Sequence, residues 1–163
     1  MIFVTVGTHE QPFNRLLKVM DNYAATTSEK VLIQSGYSDY VTEYAQSIDF
    51  ITANDMKKNI RDARIVITHG GPSSFMEVLE NKKIPIVVPR LKKYAEHVNN
   101  HQFTFAEEFN KEYKDIIIVS NLKTMPEVIG SYDKLASQRK DNLTEHNKQF
   151  NQQFEQMVGR LFV

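Results

Sequence analysis

Short runs of consecutive apolar residues recur along the chain, and segments with apolar residues three or four positions apart separate them. The runs predict six strands, over Ile2–Val6, Val31–Gln34, Asp49–Thr52 (the weakest), Ile65–Thr68, Ile84–Val88 and Ile116–Val119. Because these runs do not alternate with polar residues, each strand should be buried on both faces, as in a parallel sheet covered by helices.

The segments between the runs predict helices. Phe13, Leu16, Leu17 and Met20 share one helical face, so Pro12–Ala25 should be an amphipathic helix. Further helices are predicted from a cap at Asn54 or Asp55 to about Asp62, over Ser73–Asn81, over Ala95–Phe109, and as one long C-terminal helix from Tyr132. This alternation is typical of an α/β, Rossmann-like doubly wound sheet with strand order 3-2-1-4-5-6, in a single domain over residues 1–163.

Composition narrows the possible functions. Twenty basic residues balance twenty acidic ones, which argues against a nucleic-acid partner, because such binders usually carry a basic excess. The chain has no cysteine, so disulfides and thiolate chemistry are excluded. No segment approaches the roughly 18 apolar residues of a membrane-spanning helix, and a soluble cytoplasmic protein is the simplest interpretation.

Two predicted loops meet at the switch point between strands one and four, where sheets of this kind bind ligands. Gly7-Thr8-His9 follows the first strand, and His69-Gly70-Gly71-Pro72-Ser73-Ser74 follows the fourth. Glycines let the backbone approach a ligand closely, and the helix start near Ser73 offers free N–H groups and a positive dipole end to phosphate. Glu77, one turn inside that helix, could accept two hydrogen bonds from a ribose diol.

An alternative interpretation of this loop remains open. Ser74-Phe75-Met76-Glu77 also matches a capping box, in which a serine and a glutamate satisfy the backbone of a plain strand-to-helix turn. The motifs of a P-loop nucleotidase and of a dinucleotide-binding strand are absent from the sequence.

The loop after the fifth strand should lie beside the loop after the fourth. Glu96, His97 and Asn99 can then face the same cleft, where polar side chains suit the recognition of sugar hydroxyls. We expect His101 and Gln102 to be exposed helix residues rather than contacts. His97 and His101 are four positions apart, but no third ligand is evident, so no metal site is predicted.

Together these residues resemble a known family. The order of His69-Gly70-Gly71, small residues, Glu77, a strand, Pro89 and then Glu96-His97 with Asn99 is similar to the C-terminal domain of GT-B glycosyltransferases. The opening from Phe3 to Thr8 is similar to a narrower group, the stand-alone donor-binding subunits. That group includes a subunit of the two-part UDP-N-acetylglucosamine transferase of dolichol-linked glycan synthesis, and bacterial capsule and exopolysaccharide subunits. The resemblance covers about residues 1–120.

The resemblance implies a role for each matching residue. The donor would be held by Gly7, Thr8, His69, Gly70, Gly71, Ser73, Ser74, Glu77 and Asn99, with the diphosphate at the glycines and serines and the ribose at Glu77. The candidate catalytic residues are His9, Glu96 and His97. The base would lie against the loop after the third strand or near Pro89-Arg90. The family often has glycine where Ser73 stands, and Pro72 removes one N–H that could bind phosphate.

A complete GT-B enzyme has two such domains, and the resemblance therefore implies half of a GT-B fold. The implied function is transfer of a sugar from a UDP-sugar to a lipid-linked glycan acceptor, with no cofactor required. A separate membrane-associated subunit would bind the acceptor and hold this chain at the inner face of the membrane. Residues 132–163 either dock that partner or pack on their own domain, through Phe150, Phe154, Val158, Leu161 and Phe162.

Two other functions are compatible with the sequence. A scaffold or activator subunit of a glycosyltransferase complex could keep the fold without binding a donor. A sugar-nucleotide epimerase shares the architecture, but it normally needs both domains in one chain.

Overall fold

The computed structural model describes residues 1–143, and its centre is one sheet of six parallel strands. The strands are β1 (Ile2–Thr5), β2 (Val31–Gln34), β3 (Gln46–Ile48), β4 (Ile65–His69), β5 (Ile86–Val88) and β6 (Ile117–Ile118). Their order is β3-β2-β1-β4-β5-β6, which confirms the predicted Rossmann-like topology. The helices are α1 (Asn14–Ala24), α2 (Ala53–Asp62), α3 (Pro72–Glu80), α4 (His101–Tyr113), α5 (Met125–Gly130) and α6 (Tyr132–Leu143), with 3-10 turns at Lys92–Tyr94 and Leu122–Thr124.

Successive residues of β1 point into two separate cores, because side chains alternate across a strand. Ile2 and Val4 belong to the larger core, whereas Phe3 packs with Ile60 of α2 and Val78 of α3. All four residues of β1 are buried. The sheet is therefore covered on both faces, which is why its central strands read as unbroken apolar runs.

The amphipathic helix α1 buries the apolar residues whose spacing of three or four positions predicted one helical face. Leu16, Leu17 and Met20 are fully buried on its inner face. The helix begins at Asn14 rather than at Pro12, because Phe13 has a non-helical backbone and its N–H donates to Ser38 Oγ at 2.9 Å. The predicted start was therefore two residues early.

The predicted third strand at Asp49–Thr52 is wrong. The strand is Gln46–Ile48, which pairs with β2, and all three of its side chains are exposed. Hydrogen bonds to Asp49 from Ser35, Gly36 and Gln34 turn the chain there instead. The cap predicted at Asn54 or Asp55 is also wrong, because Thr52 caps α2 by accepting the Asp55 N–H at 3.1 Å.

The helix predicted over Ala95–Phe109 starts six residues later, at His101. Ala95 has a left-handed backbone with φ of 56°, and the side chains of Glu96 and Asn100 accept the N–H groups of Leu91 and Lys92. These contacts fold residues 91–100 into a loop. Helix α3 begins at Pro72 with Gly71 as its cap and no capping side chain, so the capping-box interpretation of Ser74 and Glu77 is wrong.

The C-terminal helix begins at Tyr132, where it was predicted, and the short helix α5 precedes it without having been predicted. Its docking candidates Phe150, Phe154, Val158, Leu161 and Phe162 lie outside the described residues. Within residues 1–143, no helix has the length and apolar character needed to cross a bilayer.

Candidate functional site

The loops after β1, β4 and β5 are neighbours, since these strands are adjacent in the sheet. Three polar side chains connect the loops at the carboxyl edge of the sheet. The first is Gln34, at the end of β2, whose Oε1 accepts from Thr5 Oγ1 at 2.7 Å and from the Gly7 N–H at 3.2 Å. Its Nε2 donates to the carbonyl oxygens of Gly7 and Asp49. Gln34 thus fixes the backbone that enters the cleft.

The second side chain is Arg90, which is completely buried. Its guanidinium donates to three carbonyl oxygens, those of Val6 at 2.9 Å, Gln11 at 2.6 Å and Glu96 at 3.2 Å. Burial lowers the Arg90 pKa to about 10, against an opposing effect of Glu96, so the side chain is still a cation at neutral pH. The guanidinium therefore joins the loops after β1 and β5 and points away from solvent.

The third side chain is Gln102, in the first turn of α4. Its Oε1 accepts the N–H of Gly70 and the N–H of Arg90, both at 3.1 Å. It is half-buried, so the expectation that it is an exposed helix residue was wrong, whereas His101 is exposed as predicted. Sequence reasoning missed both Arg90 and Gln102 as loop-fixing residues, because neither role leaves a local pattern.

The imidazole of His69 lies between two glycines from different loops. A Cβ atom on Gly7 would stand 2.2 Å from His69 Nε2, and one on Gly71 would stand 2.3 Å from His69 Cε1. Gly7 also has a left-handed backbone with φ of 75°, a conformation that glycine adopts without steric cost. Both glycines are therefore required by the packing of this one ring.

His69 is buried and bonded on both ring nitrogens. Nδ1 accepts the Gly71 N–H at 3.0 Å, and Nε2 lies 3.3 Å from Ser74 Oγ. Burial, with smaller effects of the nearby Arg90, His9 and His97, lowers the His69 pKa to about 3. The ring is accordingly neutral at physiological pH.

The N-terminus of α3 offers fewer free amides than its sequence suggested. The N–H groups of Gly70 and Gly71 are already bound by Gln102 and His69, and Pro72 has none. Within residues 1–143, the Ser73 N–H has no acceptor. The first turn of α3 carries no acidic residue, so the positive end of the helix dipole is open to an anion.

The two serines of this loop face different neighbours. Ser74 lies beside the His69 ring, whereas Ser73 lines a groove of about 530 Å³ between α2 and α3. Glu77, four positions after Ser73, lines the same groove, with Lys57 and Arg61 on the opposite wall. The arrangement brings Ser73 and Glu77 together, as predicted, whereas Ser74, which was expected on the same edge, faces the His69 ring instead.

The predicted site residues on the loops after β1 and β5 form a second group. The His9 and His97 rings stack with centroids 4.7 Å apart, and His9 Nε2 lies 2.9 Å from Gln11 Oε1. His97 Nδ1 accepts the Asn99 N–H at 3.3 Å, and burial followed by the nearby His9 lowers the His97 pKa. Thr8 is exposed beside them. The loops after β1 and β5 thus present a pair of stacked, half-buried imidazoles at the carboxyl edge of the sheet.

Glu96 is held differently from its neighbours. Its carboxylate is buried and forms a two-point ion pair with Arg15, at 2.8 Å from Nε and 2.9 Å from Nη2. It also accepts the Leu91 N–H at 3.1 Å. In this arrangement Glu96 anchors the loop after β5 to α1, and its catalytic role stays a prediction. Within residues 1–143, no group of three or more potential metal ligands is present.

Comparisons with known proteins agree with this architecture. The family model for the glycosyltransferase family 28 C-terminal domain matches residues 1–161. UDP-N-acetylglucosamine transferase subunit ALG13 of Mus musculus is 31% identical over 124 residues, and that of Homo sapiens is 31% identical over 122 residues. Each match covers 68% of this chain and 10% of the relative. The chain thus matches about a tenth of the length of these curated relatives.

Solved structures share the fold. The glycotransferase of kitacinnamycin superimposes with a TM-score of 0.65 at 15% identity, over 92% of this chain and 39% of that chain. The glycosyltransferase SnogD from Streptomyces nogalater gives a TM-score of 0.53 at 14% identity, over 88% of this chain and 39% of that chain. At such identities the likeness shows the fold alone, and it confirms the expected half of a GT-B architecture.

Proposed function

The chain belongs to the family of glycosyltransferase family 28 C-terminal domains, and from that premise we propose that it is the donor-binding subunit of a two-component glycosyltransferase. The donor is a UDP-sugar, and the sugar passes to a lipid-linked acceptor in capsule, exopolysaccharide or related glycan synthesis. The observation that carries this proposal is the pairing of an open helix N-terminus with Ser73 and Glu77 at the carboxyl edge of the sheet.

Binding of the diphosphate is supported by the electrostatics of that edge. The free Ser73 N–H and the hydroxyls of Ser73 and Ser74 are donors at the positive end of α3. Arg90 adds a cation behind the loops. Donors fixed in this way stabilise the charge that grows on a leaving diphosphate, and they do so with no cofactor.

Binding of the nucleoside is supported by the groove and by the β3 loop. Within residues 1–143 the Glu77 carboxylate has no hydrogen-bond or ion-pair partner, so it can accept the two ribose hydroxyls in the groove between α2 and α3. Phe50 follows β3, is half exposed and packs edge-on against Tyr37 at 5.1 Å. An exposed aromatic pair suits a planar base. Since the Arg90 side chain points inward, the β3 loop is favoured over Pro89-Arg90 for the base.

The stacked His9 and His97, on the loops after β1 and β5, are the candidate groups for the donor sugar and the reacting centre. Glu96 and Asn99 lie on the same loop as His97. In this proposal Glu96 holds the loop through Arg15, and His97 and Asn99 meet the sugar or the adjacent phosphate.

Dependence on a partner is supported by the surface of the described residues. Five large exposed apolar side chains lie at or beside the carboxyl edge of the sheet, at Tyr37, Ile48, Phe50, Tyr94 and Val98, whereas the exposed Val41 and Tyr44 lie on the connection that leads to the start of β3. The curated relatives are described as subunits. An acceptor-binding, membrane-associated chain that covers this edge would complete the active site and hold the complex peripherally at the cytoplasmic face.

A melting experiment with UDP tests the proposal. UDP at a hundredfold excess over its dissociation constant should raise the free energy of unfolding by about 2.7 kcal/mol. Glu77→Ala should remove most of that effect, whereas Glu107→Ala, at an exposed position on α4, should leave it unchanged. ADP serves as the control for specificity.

The outcomes separate the candidate functions. Stabilisation by UDP that survives Glu77→Ala would contradict the role of Glu77. The absence of any shift with UDP and UDP-sugars would favour the scaffold or activator function. Full-rate sugar transfer by the purified chain without a partner would refute the two-component arrangement.

A further inference from the structure

We propose that His69 is a positioning residue, which holds the Ser74 hydroxyl so that its hydrogen points at the phosphate site. This inference rests on the proposed function and changes the part that His69 plays in it. The ring is buried and binds the Gly71 N–H and the Ser74 hydroxyl, so it acts on a donor through these two groups.

The proton of the ring can be located from its contacts. Nδ1 accepts the Gly71 N–H at 3.0 Å and therefore carries no hydrogen. A neutral imidazole carries one N–H, which must then be on Nε2. At 3.3 Å from Ser74 Oγ, that N–H donates to the hydroxyl oxygen. The Ser74 hydroxyl is left with its own hydrogen to donate elsewhere.

That hydrogen has no acceptor among the described residues. Ser74 is the third residue of α3, and no protein oxygen or nitrogen within residues 1–143 accepts from its hydroxyl. His69 occupies one side of the oxygen, and the Ser74 side chain tilts toward the N-terminal end of α3, as side chains in a helix do. The hydroxyl hydrogen is therefore free to donate toward that end, where anions bind. One ring thereby prepares both an oriented hydroxyl and a fixed turn at Gly71.

The ring can keep only this orientation. Gly7 from the loop after β1 and Gly71 from the loop after β4 contact it so closely that neither could carry a Cβ atom. A protonated ring would turn Nδ1 into a donor facing the Gly71 N–H. Burial opposes that protonation most strongly, and the nearby basic groups of Arg90, His9 and His97 add to its effect.

The first arm of the test reads the ring directly, without a donor. In the ¹⁵N-labelled protein, two-bond ¹H–¹⁵N correlations identify which ring nitrogen of each histidine carries the proton, and the signal lost in His69→Gln assigns this residue. We expect His69 to be protonated at Nε2 only and to stay so from pH 8 to pH 5. A proton on Nδ1, or a titration in this range, would overturn the proposal.

The second arm measures UDP affinity in variants that separate the two hydrogen bonds. The amide of Gln reaches the position of Nε2, whereas the amide of Asn reaches only that of Nδ1. We expect His69→Gln to bind UDP within about threefold of wild type, while His69→Asn and Ser74→Ala each weaken binding roughly tenfold, as for the loss of a hydrogen bond to a charged group. The double variant His69→Asn/Ser74→Ala should be no weaker than Ser74→Ala.

Cooperative urea unfolding first shows that each variant folds, and the other possible UDP affinities can then be interpreted. Additive losses would show that His69 contacts the donor itself, and unchanged affinity in His69→Asn would show that it has no role. If wild-type protein binds no UDP, the proposed function fails and the positioning role fails with it. If Ser74→Ala weakens UDP binding and His69→Gln weakens it as much as His69→Asn does, the positioning role is rejected. The proposed function is not affected by that result.

Discussion

Replacement of Gly7 by alanine should destabilise the protein by roughly 2–5 kcal/mol. One part of the cost is conformational, because φ at this residue is 75° and a left-handed backbone costs an L-residue with a side chain about 1–2 kcal/mol. The other part is steric, because the new Cβ would lie 2.2 Å from His69 Nε2. Overpacking of a rigid core costs about 1–3 kcal/mol, and the His69 ring is bonded on both sides and cannot swing away.

Two further glycines separate these contributions. Gly71 has an ordinary backbone with φ of −69°, but its Cβ would stand 2.3 Å from the same ring, so Gly71→Ala should cost only the steric part, about 1–3 kcal/mol. Gly130 ends a helix, and a Cβ atom added there would meet nothing within 4 Å. Gly130→Ala should therefore be neutral or stabilise by up to about 1 kcal/mol.

Urea unfolding followed by circular dichroism at 222 nm measures these differences, with the unchanged slope m as the check that the transitions are comparable. In a His69→Ala background the ring is gone, so Gly71→Ala should become nearly neutral while Gly7→Ala should keep its conformational cost. The reasoning would be refuted if Gly7→Ala matched Gly130→Ala, or if removing the ring left the cost of Gly71→Ala unchanged.

Two other predictions follow from buried charges and protons. Arg15→Met should cost about 2–4 kcal/mol, at the low end for a buried ion pair because Arg15 is 20% exposed and Arg90 still attracts the Glu96 carboxylate, which is 4% exposed. The exposed Arg61→Met should change stability by less than about 0.5 kcal/mol in the same urea assay. The His69 pKa is lowered to about 3 from 6.5, so the unfolded chain takes up the proton first and stability falls as pH drops below 6.5, by about 2 kcal/mol at pH 5. His69→Gln should lose that part of the pH dependence, and an identical loss of stability in the variant would assign it to other groups.

The sequence was informative where neighbours along the chain decide the structure. The apolar runs over Ile2–Val6 and Ile65–Thr68 are central strands buried on both faces, and the turn from His69 into α3 follows its strand directly. The strand Gln46–Ile48 was missed because an exposed edge strand has no apolar signature, while the more apolar Asp49–Thr52 is a loop. Asp49–Thr52 is itself largely exposed, so its apolar residues marked neither a buried segment nor a paired strand.

Long-range side-chain contacts were beyond reach of the sequence. Arg90 donates to Val6, 84 positions away, and Gln102 accepts from Gly70, 32 positions away. Nothing in the local sequence around Arg90 or Gln102 distinguishes such residues from a solvated arginine and a helical glutamine. The same holds for Glu96, whose ion pair with Arg15 depends on how the loop after β5 folds back on α1.

The burial of Arg90 affects how strongly salt concentration changes the attraction of the candidate site for an anion. Dissolved ions screen charges at the protein surface within about 8–10 Å under ordinary salt conditions, and they screen a charge enclosed by protein much less. Because the Arg90 guanidinium faces three carbonyl oxygens in the interior, its attraction for an anion at the cleft should survive changes in ionic strength.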